Sequence, residues 1–567
     1  MQEPSRSCDV LVIGSGAGGL SAALSAAVLG LDVIVSEHSE HLGGATALSG
    51  GEIWIPGNRQ SKSVGADSAE EAERYLAGAI GGYLDQPRLE AYLAHAAEAL
   101  AFLEDNGHLR YELLGHVGDY YSDFPGATAG LRTLGAIPFD GRQLGADFRR
   151  IRPPLPASTV FGGMALGRED IPHFTRAHRS LRSLLHVSGM LLRHCRDRMQ
   201  GHSRGTRMVM GNALVGRLVL SLRERGVPLW TGMRTVELLQ ERGRVSGALL
   251  EEHHGALCRI HARRGVILAT GSFSGSPERR QAYYTHVREG ITHLSPLPQT
   301  NDGSALELAR ARGGTLDHNL RQPAAFTPFS ALPVAGGKTT CVPHFGDRGR
   351  PGVIVVNARG ERFANETLNY HDFVEQMLAT REAAADARWF LVTSRQHLRK
   401  YGLGRVPPFP ARTGPFIRSG YLIEADSIAT LATRLGIDAN ALAHTVREHD
   451  SHAARGADPA FNRGSTAFQR ESGDPALSPN PCIAPLGRGP YYAIRLFPGD
   501  IGTFIGLRVD ARARVLGEGG HPLPGLYAVG TVSSSVMGGG YPAAGIMLGP
   551  ALTFGYLAAK AIASDDR

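Results

Sequence analysis

Gly14-Ser15-Gly16-Ala17-Gly18-Gly19 sets glycines at the first, third and sixth positions of a run, a spacing suited to holding a diphosphate. The first permits a tight turn, the second lets backbone approach a pyrophosphate, and the third lets a helix pack close to a strand. A helix starting there turns its N-terminal amides and positive dipole end toward the phosphate charge. Glu37 stands 23 residues after Gly14, where a carboxylate accepts from a ribose hydroxyl. An acid at that point disfavours a 2′-phosphate. The bland alternative is a glycine-rich turn in some other α/β protein.

The flanking sequence supplies the elements such a site requires. Residues 8–14 are an apolar run with strand character, Leu20 to Leu29 an alanine-rich helix, and Val33-Ile34-Val35 a second strand. Glycine-rich backbone continues in Leu42-Gly43-Gly44-Ala45-Thr46 and Ser49-Gly50-Gly51, which would run beside a long, flat cofactor. Ala269-Thr270-Gly271 and Ala528-Val529-Gly530 each close a short apolar strand, as expected where more backbone meets the same ligand. An NAD dehydrogenase would not need this C-terminal return. Residues 68–105 read as helical, and Pro550 to Ala563 as a closing helix.

The chain has 567 residues, enough for two to four domains. Glycine accounts for 72 of them, well above the usual level of about 7%. No period of three accompanies it, which excludes collagen, and no long polar block suggests disorder. Five scattered cysteines without CxxC spacing point to a reducing compartment, and no signal pattern or long apolar run appears, so a cytoplasmic protein is expected. The histidines show no HxxxH or HExxH pattern, and no metal is expected. The fold class is α/β: a Rossmann-like dinucleotide-binding domain split in sequence by an inserted α+β catalytic domain. Residues 1–290 form its first part, 291–490 the catalytic domain and 491–567 its second part.

The net charge of +7 is local. Residues 142–223, a basic helical insertion in the first part, hold fifteen arginines against four acids. Within residues 177–200, Leu181, Leu184, Leu185, Leu191, Leu192, Cys195 and Met199 recur near helical spacing, with Arg179, Arg182, Arg193 and Arg196 on the other side. The simpler reading is a helix whose leucines face the core and whose arginines are solvated. The sharper one is peripheral contact with an anionic membrane at the inner face of the cell membrane. Nucleic acid is not expected as a partner, since no recognition motif accompanies the charge.

Taken together, the glycine motifs resemble the FAD-binding flavoproteins of the fumarate reductase and 3-ketosteroid dehydrogenase superfamily, which implies FAD as cofactor. Within it, the acid reductases carry an arginine four residues after an Asn-Glu pair, a His-Pro-Thr motif and a second arginine in an Asn-Arg-Leu-Gly-Gly loop. This chain has Asn365-Glu366 followed by Tyr370, lacks His-Pro-Thr, and has Met537-Gly538-Gly539-Gly540-Tyr541-Pro542 without a cation. A dicarboxylate would find no obvious charge partner there.

The same positions look like the 3-ketosteroid Δ1-dehydrogenases, whose patterns match in Tyr541-Pro542-Ala543-Ala544-Gly545, Gly549-Pro550-Ala551-Leu552-Thr553-Phe554-Gly555-Tyr556 and Gly118-Asp119-Tyr120-Tyr121. The match spans nearly the full length, apart from an expansion around 165–210. It departs at Ala543-Ala544, where that family has Gly-Pro. The resemblance implies a 3-ketosteroid or other cyclic-ketone substrate and an external electron acceptor such as a quinone. It further implies that Tyr541 and the Gly545 amide polarise the ketone, Tyr370 takes the α proton and Tyr120 assists, with Tyr121 the alternative. His371 and Asp372 are read as supporting or surface residues. The other readings are 4(5α)-desaturation, an unsaturated-acid reductase, or a flavin-binding module whose tyrosines only pack.

Overall fold

The computed structural model describes residues 5–380, 387–409 and 412–565, so the outermost residues of the terminal segments lie outside it. The strand β1, Ser5–Ile13, is buried along its second half, as a central strand of a parallel sheet must be. It leads through the glycine turn into the helix α1, Ala17–Val28, and then into the fully buried strand β2, Val33–Glu37. β1 pairs parallel with β2 on one side and with the long strand Leu257–Leu268 on the other. Leu229–Thr231 extends the sheet beyond β2. Pro522–Ala528 joins parallel beside Leu257–Leu268, so the chain does return to its first sheet near its end. The closing helix Leu548–Ser564 packs against α1.

A second, antiparallel sheet runs Thr339–Pro343, Ala324–Pro333, Tyr491–Thr503, Trp389–Ser394, Val353–Val356. Its central strand corrects the sequence-based boundary at 490. Tyr491–Thr503 pairs with Ala324–Pro333 and Trp389–Ser394, and the return to the first sheet comes only with Arg514–Leu516. Which sheet a buried apolar strand joins is decided by pairing partners, and the local sequence carries no mark of them. The stretch 68–105 is two helices, Ala69–Ile80 and Gln86–Asp105, with Ser68 and Asp85 accepting first-turn amides as N-caps.

The basic stretch 142–223 is also not one unit. Its last part forms the helix Met210–Glu224, buried along most of its length and packed on α1. The exposed part is a helical hairpin, Asp170–Arg176 and Leu181–Met199. The five cysteines are free thiols. Among the described residues no helix is long and apolar enough to cross a membrane.

Candidate active site

At the glycine turn, Gly14 has φ +111°, and a Cβ there would lie 2.2 Å from the Ala269 carbonyl oxygen, so no other residue fits. The α1 N-cap is Gly16, and the first turn carries no acid, which leaves the positive helix end open to an anion. Among the described residues the N–H groups of Gly16, Gly44 and Ala45 have no protein acceptor. Thr270 Oγ1 is buried without a partner. These open donors at the helix start fit a diphosphate-linked cofactor.

Other predicted residues shape the cradle instead. Thr46 Oγ1 accepts from the Ala17 N–H at 2.9 Å, capping α1 from across the turn. Ser49 Oγ donates to the Thr46 carbonyl and accepts from Gly51 N–H. Glu37, buried at the end of β2, accepts from Ser15 N–H at 3.0 Å, Ser15 Oγ at 2.6 Å and Ser39 N–H at 2.8 Å. The carboxylate therefore ties down the loop. Ser15, which also accepts from Gly43 N–H, went unremarked in the sequence because the glycines define the motif. Gly43, Gly50, Gly51 and Gly271 pack against protein atoms, whereas Gly44 faces open space and Gly530 nearly so.

Tyr120, Tyr370 and Tyr541 come from three distant segments and meet in one buried cluster. The Tyr120 hydroxyl donates to that of Tyr370 at 3.3 Å across 250 residues of chain. The Tyr120 and Tyr541 rings stack at 6.0 Å, and Tyr370 meets Tyr541 edge-on at 4.9 Å. The tyrosines are thus brought together, and Tyr120 rather than Tyr121 faces Tyr370. Tyr121 donates instead to Asp372 at 3.0 Å.

Each tyrosine is held by identifiable contacts. Tyr370 is the first residue of the helix Tyr370–Ala379, whose N-cap Asn369 accepts from the His371 and Asp372 amides. The Asn-Glu pair anchors the approach: Glu366 receives Arg362 at 2.7 Å and Arg463 at 3.2 Å, and Asn365 accepts from Thr367 N–H. Beside Tyr120, Asp119 accepts from Trp54 Nε1 at 2.8 Å and from the fully buried Arg132 at 2.9 Å. Arg132 also grips Asp67. Tyr120 N–H donates to the Pro542 carbonyl at 2.8 Å, and the Tyr75 hydroxyl donates to that same oxygen, coupling this segment to the Tyr541 loop.

Gly545 closes the site with φ +93°, and a Cβ there would lie 2.4 Å from the Ile53 carbonyl carbon. Its carbonyl accepts from Trp54 N–H at 3.3 Å, and its own N–H has no acceptor among the described residues. That amide is an open backbone donor in the same loop as the buried Tyr541.

Burial pushes all three phenols well above the usual tyrosine range, and for Tyr370 the neighbouring Tyr120 and Tyr541 add to the effect. One cation works against it. Arg168, paired with Glu52 at 2.9 Å, lies close enough to Tyr120 and Tyr370 for its charge to act on both. Its charge favours ionisation of Tyr120. The sequence offered no signal for it: Arg168 is one of fifteen arginines in its stretch. Glu471 sits nearby, accepting from Gly118 N–H, and burial raises its carboxyl to about 7.

His371 is fully buried, not at the surface, with Nδ1 accepting from Phe326 N–H. With Asp372 and Glu375 it forms a cluster of metal-ligand type, but Arg321 already brings a cation there, 2.7 Å from Glu375 and 3.9 Å from Asp372.

A split parallel sheet with an open glycine cradle, beside buried tyrosine hydroxyls, defines a flavin-dependent oxidoreductase, and its cofactor is FAD. The pattern of the FAD binding domain matches residues 9–548. The chain is 38% identical to 4-oxocyclohex-2-ene-1-carboxylate 5-dehydrogenase of Sinomonas cyclohexanicum, over 99% of this chain and 95% of that protein. It is 35% identical to 3-oxosteroid 1-dehydrogenase of Mycobacterium tuberculosis, over 98% of each. The crystal structure of 3-ketosteroid delta1-dehydrogenase from Sterolibacterium denitrificans, in complex with 1,4-androstadiene-3,17-dione, superposes with a TM-score of 0.90 at 34% identity, covering 99% of this chain and 100% of that one. The chain belongs to the FAD-dependent 3-ketosteroid dehydrogenase family of flavoproteins.

Proposed function

We propose that the protein desaturates a cyclic ketone beside its carbonyl, with a 3-ketosteroid dehydrogenated between carbons 1 and 2 as substrate. The observation that carries this reading is the meeting of three tyrosines in one buried cluster, with the Gly545 amide left free in the loop that carries Tyr541. The Tyr541 hydroxyl and Gly545 N–H donate to the ketone oxygen and stabilise the enolate as it forms, each donor contributing about 2.7–4 kcal/mol. Tyr370 takes the α proton as phenolate, supported by the Tyr120 hydrogen bond and the Arg168 charge. Bound FAD would supply the acceptor for the hydride leaving the β carbon, and a quinone or similar external acceptor would take the electrons onward. The substrate thereby loses one proton and one hydride and gains a carbon–carbon double bond.

Arg168 supports a second reading, a smaller ring ketone bearing a carboxylate, of the kind named for the Sinomonas relative. Anaerobic mixing of the yellow protein with three ketones separates the cases. Bleaching by androst-4-ene-3,17-dione supports the first reading, and bleaching only by 4-oxocyclohexanecarboxylate supports the second. Response only to a 5α-saturated 3-ketone indicates 4(5α)-desaturation. No bleaching by any of them leaves a flavin-binding module and overturns the proposal.

A further inference from the structure

The hairpin helix Leu181–Met199 is inside-out. Its inward residues are Ser183, Val187, Met190, His194 and Asp197, three of them polar. Each of those three has a polar partner: Ser183 Oγ meets His173 Nδ1 at 3.1 Å, His194 Nε2 pairs with the Phe161 carbonyl at 2.9 Å, and Asp197 Oδ2 accepts from Thr206 N–H at 2.7 Å, while His194 Nδ1 and Asp197 Oδ1 are left without one. Apart from the half-buried Leu191, the leucines expected to face the core face solvent instead. Leu181 is 72% exposed, Leu192 71% and Met199 81%, with Leu184 and Leu185 also open. Spacings of four and seven residues put them on one stripe, about 27 Å long at 1.5 Å per residue. Ile171 on the preceding helix is exposed too. So is Phe409, whose ring lies 5.4 Å from that of His178 between the two helices.

Arginines border the stripe. Arg176, Arg179, Arg182, Arg196 and Arg198 are exposed. Between residues 170 and 200 the only acids, Asp170 and Asp197, are buried. A second copy of the chain laid on this face would set arginine against arginine. An anionic lipid surface meets both features, taking the leucines into its acyl boundary while the arginines reach its headgroups.

We propose that this helix docks the protein flat on an anionic bilayer surface. The proposal stands independently of the ketone reading. Arg168, whose charge acts on Tyr120 and Tyr370, precedes the hairpin directly, which joins the docking face to the site through one short segment of chain.

The test uses the holoprotein with phosphatidylcholine vesicles, with and without phosphatidylglycerol. Co-flotation should rise by more than about tenfold with the anionic lipid and fall with added salt. Exposed Cys195, labelled with an environment-sensitive fluorophore in a Cys341→Ser background, should shift to the blue on anionic vesicles only. Leu185→Gln with Leu192→Gln should abolish both responses while FAD content and turnover of a dissolved ketone stay unchanged. Wild-type protein that ignores anionic vesicles, or double-variant protein that still binds them, overturns the proposal. So does a concentration-dependent dimer that the double substitution dissolves, because the stripe would then be an interface between copies.

Discussion

Replacing Gly545 with alanine tests the architecture and the proposed chemistry in one protein. At φ +93° an L-residue incurs roughly 1–2 kcal/mol of backbone strain. The new Cβ would also lie 2.4 Å from the Ile53 carbonyl carbon, 2.6 Å from its Cα and 2.6 Å from the Trp54 nitrogen. These are backbone atoms of a strand covered on its other side by Thr133–Ala136, so the conflict cannot be relieved by turning a side chain. Either the strand or the loop must retreat, at the ~1–3 kcal/mol typical of overpacking. The combined loss of stability is about 2–5 kcal/mol, read as a lower midpoint of thermal unfolding for the FAD-loaded protein. Retreat of the loop also carries the Gly545 amide away from the ketone oxygen. Losing one such donor slows turnover by about 10²–10³-fold, read as the rate of anaerobic flavin bleaching at saturating ketone. Unchanged stability would refute the close approach. Lowered stability with an unchanged rate would keep the packing argument and remove Gly545 from the chemistry.

Tyr370→Phe is expected to abolish turnover with FAD still bound. Because burial holds the Tyr370 phenol protonated, the wild-type rate should climb as pH rises above neutrality, and a flat profile would remove Tyr370 as the base. Arg132→Met leaves Asp67 and Asp119 as unpaired buried carboxylates, and a loss of about 3–5 kcal/mol is expected in denaturant unfolding. Burial alone would raise the Glu366 carboxyl, but the Arg362 and Arg463 charges hold it down to about 2. A depressed carboxylate stabilises the fold above its unfolded value of 4.5 and loses that contribution as pH falls toward 2. The wild type should therefore lose stability over that window more steeply than Glu366→Gln, as acid titration of the unfolding midpoint would show.

Much of the nucleotide half was legible because its signals are local. The turn at Gly14, the helix after Gly16 and the acid at Glu37 all fall within one strand–helix–strand unit, where spacing along the chain nearly equals spacing in space. The tyrosines were legible only through motifs shared with a family. Nothing in spacing brings a hydroxyl at 120 within 3.3 Å of one at 370, and the two-sheet framework does that.

Other features were set by tertiary structure alone. Arg168 looks like its fourteen neighbours until the hairpin swings it over Glu52. Leucine spacing in residues 181–199 fixed a helix with an apolar stripe but not the direction the stripe faces, because rotating a helix about its axis leaves its periodicity unchanged. The strand at 491 likewise carried its burial in its composition but not its partners, which depend on what else folds beside it.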